Sequence, residues 1–168
     1  ASVLIHDDAQ PAKRSILLVP NWMGINSENL AQAKLIAGRG YTVYVVDMYG
    51  AGVRPKDAAE TGAAAGVVKA DLAAMHTRIQ TALTTLTDQK LVTVDPKRIG
   101  AIGFCFGGTV ALELARDGGA VPAVVSFHGG LATSAPASAD KLKAKVLVLH
   151  GADDPYVPAK DVAAFEEE

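Results

Sequence analysis

Along this chain, short apolar runs alternate with segments whose apolar residues recur every three or four positions. Ser15-Ile-Leu-Leu-Val19 reads as a buried strand ended by Pro20, and Tyr41 to Val46 reads as a second. Between them, Ser27 stands as the N-cap of a helix carrying Leu30, Ala33, Ile36 and Ala37, which Gly38 and Gly40 stop. The strongest helical period runs through Leu72, Met75, Ile79, Ala82, Leu83 and Leu86, with Arg78 and Gln80 off that face. After the turn at Asp95-Pro96, a strand is predicted from Arg98 to Phe104, then a helix through Thr109 to Arg116 that Gly118-Gly119 ends. Ala123 to Phe127 and Lys145 to His150 read as two more strands, and Ala159 begins a helix. Residues 50–66, rich in Gly and Ala, read as a loop with a loose helix start, and 130–140 as a connecting loop. Such alternation predicts an α/β fold: a mainly parallel sheet with helices on both faces, in one domain spanning residues 1–168, without linker or repeat.

Composition narrows the partners. Of 168 residues, 49% are hydrophobic and 20% charged, which places the chain among globular proteins. The net charge is −2, and Lys13, Arg14, Lys141, Lys143 and Lys145 form no stripe able to neutralise a row of phosphates, so nucleic acid is not an expected partner. No apolar run approaches the ~18 residues of a membrane-spanning helix, so no membrane partner is expected. A single cysteine, Cys105, cannot form an internal disulfide, which favours a reducing, cytoplasmic setting. A monomer or small homo-oligomer is expected.

That cysteine lies in Gly103-Phe-Cys-Phe-Gly-Gly108, directly after a predicted strand and before a helix. In open parallel sheets the functional crevice lies beyond the carboxyl ends of the strands, where Cys105 falls. Gly103 and Gly107 let the backbone fold tightly around it, and Gly108 lets the helix approach the sheet, the pattern of a nucleophile elbow with Cys in place of Ser. A helix N-terminus favours a thiolate. The N–H of Phe106 would point at a developing oxyanion, and the loop Asn21-Trp22-Met23-Gly24 is expected to supply a second donor from Trp22. The alternative is that Cys105 only fills space, as free cysteines often do. A second cluster, His150-Gly-Ala-Asp-Asp-Pro-Tyr-Val-Pro158, follows a strand later in the chain, where an orienting carboxylate is expected. Asp154 is the first candidate and Asp153 its rival, while Asp-Asp-Pro is also ordinary turn chemistry.

Together, Val19-Pro-Asn-Trp-Met-Gly-Ile-Asn26, the Cys105 elbow and the acid loop resemble the dienelactone hydrolase family, over essentially the whole chain. The resemblance implies an α/β-hydrolase fold and a Cys-His-Asp triad that hydrolyses small lactones or carboxylic esters through an acyl-enzyme, without metal or cofactor. It implies Cys105 as nucleophile, Asp154 as acid, and the Trp22 and Phe106 N–H groups as oxyanion donors. Tyr49, Arg54 and His128 are candidate cleft residues, and an arginine there would favour an acid-bearing substrate. Asn21 stands where family members with established dienelactone activity carry a glutamate that interacts with the cysteine, and a neutral amide cannot take the thiol proton.

The expected base is the larger departure, because in this fold the histidine follows the acid. His6, His76, His128 and His150 all precede Asp154; surface or structural roles are expected for the first two. His128, at a strand end, is a candidate substitute base. The missing base, the helix running out in Glu166-Glu-Glu168 and the start at Ala1 lead to the expectation of a longer chain, with a last strand, histidine loop and closing helix beyond these residues. The rival expectation is a non-catalytic, hydrolase-like binding protein; acyl transfer to an acceptor other than water shares the acyl-enzyme with hydrolysis.

Overall fold

The computed structural model describes residues 1–9, 12 and 14–168; Lys13 lies outside the described residues. Its sheet has six strands: β1 (Val3–Ile5), β2 (Arg14–Val19), β3 (Tyr41–Val45), β4 (Ile99–Phe104), β5 (Ala123–Phe127) and β6 (Lys145–Leu149), in the order β1-β3-β2-β4-β5-β6. All pairings are parallel except β1 with β3. The helices are α1 (Ser27–Ala37), α2 (Ala58–Ala70), α3 (Leu72–Asp88), α4 (Phe106–Arg116) and α5 (Ala159–Glu167). No described helix is long and apolar enough to cross a membrane.

Strand β2 shows how the layers separate. Leu17 and Val19 pack with α2, α3 and α4, in a core that includes Ile79, Leu86, Phe106, Val110 and Leu114. Leu18 points the other way, toward Ala33 and Ala37 of α1 and toward Val43 and Val45. Both faces of the central strands are thus covered, as a parallel sheet requires.

Several elements differ from expectation. Asn26, rather than Ser27, caps α1, its side chain accepting from the Asn29 N–H at 2.9 Å. The 50–66 segment holds a full helix, α2, which extends to Ala70. The pattern Asp57-Ala-Ala-Glu60 marks its start: Asp57 accepts from the Glu60 N–H, and the Glu60 carboxylate accepts from the N–H of Lys56. Helix α4 starts at Phe106, earlier than expected, and Arg98 belongs to a single 3-10 turn before β4. Strand β1 was not anticipated, because a three-residue antiparallel edge carries too little alternation to register.

Topology places the site. Strand β2 lies between β3 and β4; the chain leaves it first to one side and then, after α2 and α3, returns on the other. The loops after β2 and β4 therefore diverge at the point where strand order reverses, the position at which open parallel sheets bind ligands. Val19 pairs with Gly103, so residues 20–24 and Cys105 emerge side by side.

Candidate active site

Cys105 sits between the last residue of β4 and the first of α4, with φ 56° and ψ −120°. A side chain in this region is strained by about 1–3 kcal/mol, and such strain survives only where the surroundings enforce it. Here they do. The Cys105 N–H donates to the Phe127 carbonyl at 2.9 Å, and its own carbonyl accepts from Gly108. A Cβ at Gly103 would collide with the backbone of Gly107, and one at Gly107 with the carbonyls of Val19 and Pro20. At Gly108 it would lie 2.5 Å from Ser126 Oγ. These three positions accept only glycine because α4 starts in direct contact with β2, β4 and β5. The thiol is half-buried and makes no hydrogen bond with any described residue.

The loop after β2 is pinned from several directions. Gly24 N–H donates to the Asn21 carbonyl at 2.9 Å, closing a tight turn in which Gly24 has φ +67°. Asn21 Oδ1 accepts from the Met23 N–H and from Asn29 Nδ2, both at 3.0 Å, so this amide is committed to holding the loop. Asn29, buried in the first turn of α1, also donates to the Gly24 carbonyl at 2.8 Å. The Tyr49 hydroxyl donates to the Trp22 carbonyl. Among the described residues the backbone N–H groups of Trp22 and Phe106 have no acceptor. The Trp22 ring stands partly exposed beside Gly62 of α2.

Tyr49 is 8% exposed and belongs to the core behind this loop, rather than lining an open cleft. Burial pushes its phenol up to about 12, and the neighbouring Cys105 adds to that rise. Its backbone is fixed by Asp47, whose Oδ1 accepts from the N–H groups of Tyr49 and Gly50. Burial raises the Asp47 carboxyl, but hydrogen bonds from the Ala1 ammonium, Gly50 and Arg54 outweigh it and hold it below the usual range. Arg54 donates to Asp47 Oδ2 at 3.0 Å and to the carbonyls of Gly50 and Val53. Its guanidinium thus braces its own loop. Asp47 and Asn29 escaped the sequence reading; Asp47-Met-Tyr-Gly50, an Asp two residues before a turn, carried the available signal.

On the far side of Cys105, β6 leads into the acid loop. Asp154 is half-buried and Asp153 exposed. Asp154 Oδ1 accepts from the Tyr156 N–H at 2.9 Å, leaving Oδ2 free of described partners. His128 is exposed, with φ +43° and its N–H bonded to the Leu149 carbonyl, and His150 has a buried Nδ1 without a partner. His76 lies on α3, its Nε2 3.0 Å from Glu113 and its Nδ1 3.5 Å from Asp117. His6 pairs with Asp8 near the surface. None of the four makes a hydrogen bond to Cys105 or Asp154. Among the described residues, no group of three or more His, Cys, Asp and Glu gathers as a metal site.

A family model described as "Dienelactone hydrolase family" matches residues 1–168. Protein K02A2.1 of Caenorhabditis elegans is 38% identical over 95 residues, a match covering 54% of this chain and 58% of that protein, less than two thirds of its length. Of solved structures, m3DLH is 35% identical with a TM-score of 0.86. The dienelactone hydrolase-like promiscuous phosphotriesterase P91, from metagenomic libraries, is 33% identical with a TM-score of 0.88. Both superpose on 99% of this chain, which covers 69% of each.

Proposed function

The chain belongs to the dienelactone hydrolase family, and from that premise we propose that it is a cysteine-dependent hydrolase of small, uncharged carboxylic esters or lactones. The observation that carries the reading is the strained Cys105 at the start of α4, followed by the Phe106 N–H and emerging beside the loop that carries the Trp22 N–H, both donors without acceptors among the described residues. A group held at such a backbone angle points to function more than to packing. The Cys105 thiolate attacks the carbonyl carbon, and the two N–H groups receive the charge that develops on oxygen. The alcohol leaves, and water releases the acyl group.

One feature favours an uncharged substrate: the Arg54 guanidinium is taken up by Asp47 and two carbonyls, so it is not a free anchor for an acid. The route requires a histidine that bridges Cys105 and Asp154, a requirement none of His6, His76, His128 and His150 meets in the structure. A second substrate class, phosphotriesters, is favoured by the likeness to P91. The same thiolate would attack phosphorus, with the same two donors on the phosphoryl oxygen; the P–O bond to the alkoxide or aryloxide breaks, that group leaves, and water releases the phosphoryl group from sulfur.

The test is hydrolysis of p-nitrophenyl acetate and of paraoxon by the full-length protein, with Cys105→Ala as control. Hydrolysis is expected to fall about a thousandfold or more in the variant, and mass spectrometry should find an acyl adduct on Cys105. A wild-type protein without activity on either compound, and without the adduct, favours the non-catalytic binding reading.

A further inference from the structure

Tyr49 is buried and touches both sides of the proposed oxyanion site. Its hydroxyl donates to the Trp22 carbonyl, its ring lies against that of Phe106 with centroids 5.7 Å apart, and a Cβ built on Gly24 would come within 3.0 Å of its Cε2. Building on the hydrolase reading, we propose that Tyr49 is a positioning residue that sets the Trp22 and Phe106 N–H groups at the spacing the oxyanion needs.

The argument follows from peptide planarity. Each peptide group turns as a unit, so fixing its carbonyl fixes its N–H. The Trp22–Met23 group is held at both ends, its carbonyl by Tyr49 and its N–H by Asn21 Oδ1. The Asn21–Trp22 group is held at its carbonyl by Gly24, while its Trp22 N–H has no acceptor among the described residues. Without the Tyr49 hydroxyl, the Trp22 carbonyl loses its partner and the adjoining peptides gain freedom to tilt. The ring fixes the other donor, since Phe106 is the first residue of α4 and its side chain is buried against Tyr49. Tyr49 is itself anchored from outside the site. Asp47 holds its N–H, Arg54 holds Asp47, and Arg78 of α3 donates to the Met48 carbonyl. The anchor therefore runs through side chains that touch no substrate.

The variant Tyr49→Phe keeps the ring and removes the hydroxyl. In the full-length protein it is compared with wild type in p-nitrophenyl acetate hydrolysis, in inhibition by acetaldehyde and in alkylation of Cys105 by iodoacetamide. Acetaldehyde reads the donors: the thiolate forms an S–C bond to the carbonyl carbon, the π pair moves to oxygen, and the resulting oxyanion is held by the N–H groups or takes a proton from water. Alkylation forms an S–C bond while iodide leaves, and needs no oxyanion donor. We expect kcat and aldehyde affinity each to fall about tenfold, with KM and the alkylation rate within about twofold of wild type. If kcat and aldehyde affinity both stay within about twofold, the proposal is overturned and the hydrolase reading stands. It is equally overturned if alkylation falls in step with kcat, which marks general damage to the elbow. Wild-type protein without Cys105-dependent hydrolysis or aldehyde binding overturns the hydrolase reading, and this proposal with it.

Discussion

At the scale of single residues, the glycines around Cys105 were legible because they answer a backbone demand that no other type meets, and Cys105 because the one cysteine of the sequence stands between them, directly after a strand. Asn21 and Arg54 were legible as positions but not as roles: their partners, Asn29 and Asp47, lie eight and seven residues away, and only folding brings them into reach. Ser126 was invisible to pattern reading. It is fully buried in β5, its Oγ has no hydrogen-bond partner among the described residues, and it packs between Gly108 and Gly129. Its small size is what the crossing of α4 over β5 uses, while the hydroxyl carries a desolvation penalty of about 1–3 kcal/mol with no bond in return. Ser126→Ala is therefore expected to match or exceed wild-type stability in urea unfolding, by up to about 1 kcal/mol. A loss larger than that would mean that the hydroxyl has a partner.

At the scale of elements, strands were read well because the central ones are short apolar runs buried on both faces, and α3 because one face carries its apolar period. In the sequence, α2 shows as no more than a loose helix start after a loop, since its alanines and glycines give no apolar stripe; only Thr61, Ala65 and Val68 are buried. Its capping residues carried the information that periodicity lacked. Asp71 does double duty, closing α2 and capping α3 through its side chain to the Ala74 N–H at 2.9 Å. Replacing it with Ala is expected to cost about 1 kcal/mol, measured by chemical denaturation. If Asp71→Ala leaves stability unchanged, the α2–α3 junction is held by packing alone.

For the whole molecule, the α/β architecture and the emergence of the Cys105 turn beside the loop after β2 could be read before any coordinates, because in parallel sheets such loops gather at the carboxyl ends of the strands. What could not be read is a buried ionic chain on the α4 side. Arg116 is 4% exposed, and it bonds Glu113, the Leu131 carbonyl and both oxygens of Glu168, while Glu113 also meets His76. The acidic end of α5, which looked like a poor helix terminus, is drawn back onto α4 by this pairing. Removing one partner strands the others, so Arg116→Met is expected to cost about 3 kcal/mol or more. Arg116 hydrogen bonds hold the Glu168 carboxyl below its ordinary 4.5, against burial, which raises it. A carboxylate with a lowered folded pKa stabilises fully above its unfolded value and loses that contribution as pH falls through the folded one. Glu168→Gln should accordingly be less stable than wild type at neutral pH, with the gap closing below pH 4.5 in acid-unfolding curves. A gap independent of pH would count against the pairing.

The backbone angles of Cys105 have a consequence for how such a chain changes over generations. With φ 56° and ψ −120°, position 105 matches the first central residue of a type II′ turn, which glycine occupies without strain. Stability alone therefore pulls this position toward glycine, while under the proposed function a cysteine is kept there for its thiol. In a lineage relieved of that chemistry, position 105 is where the first neutral or stabilising replacements should accumulate, ahead of the glycines around it, which the packing of α4 on the sheet would still require.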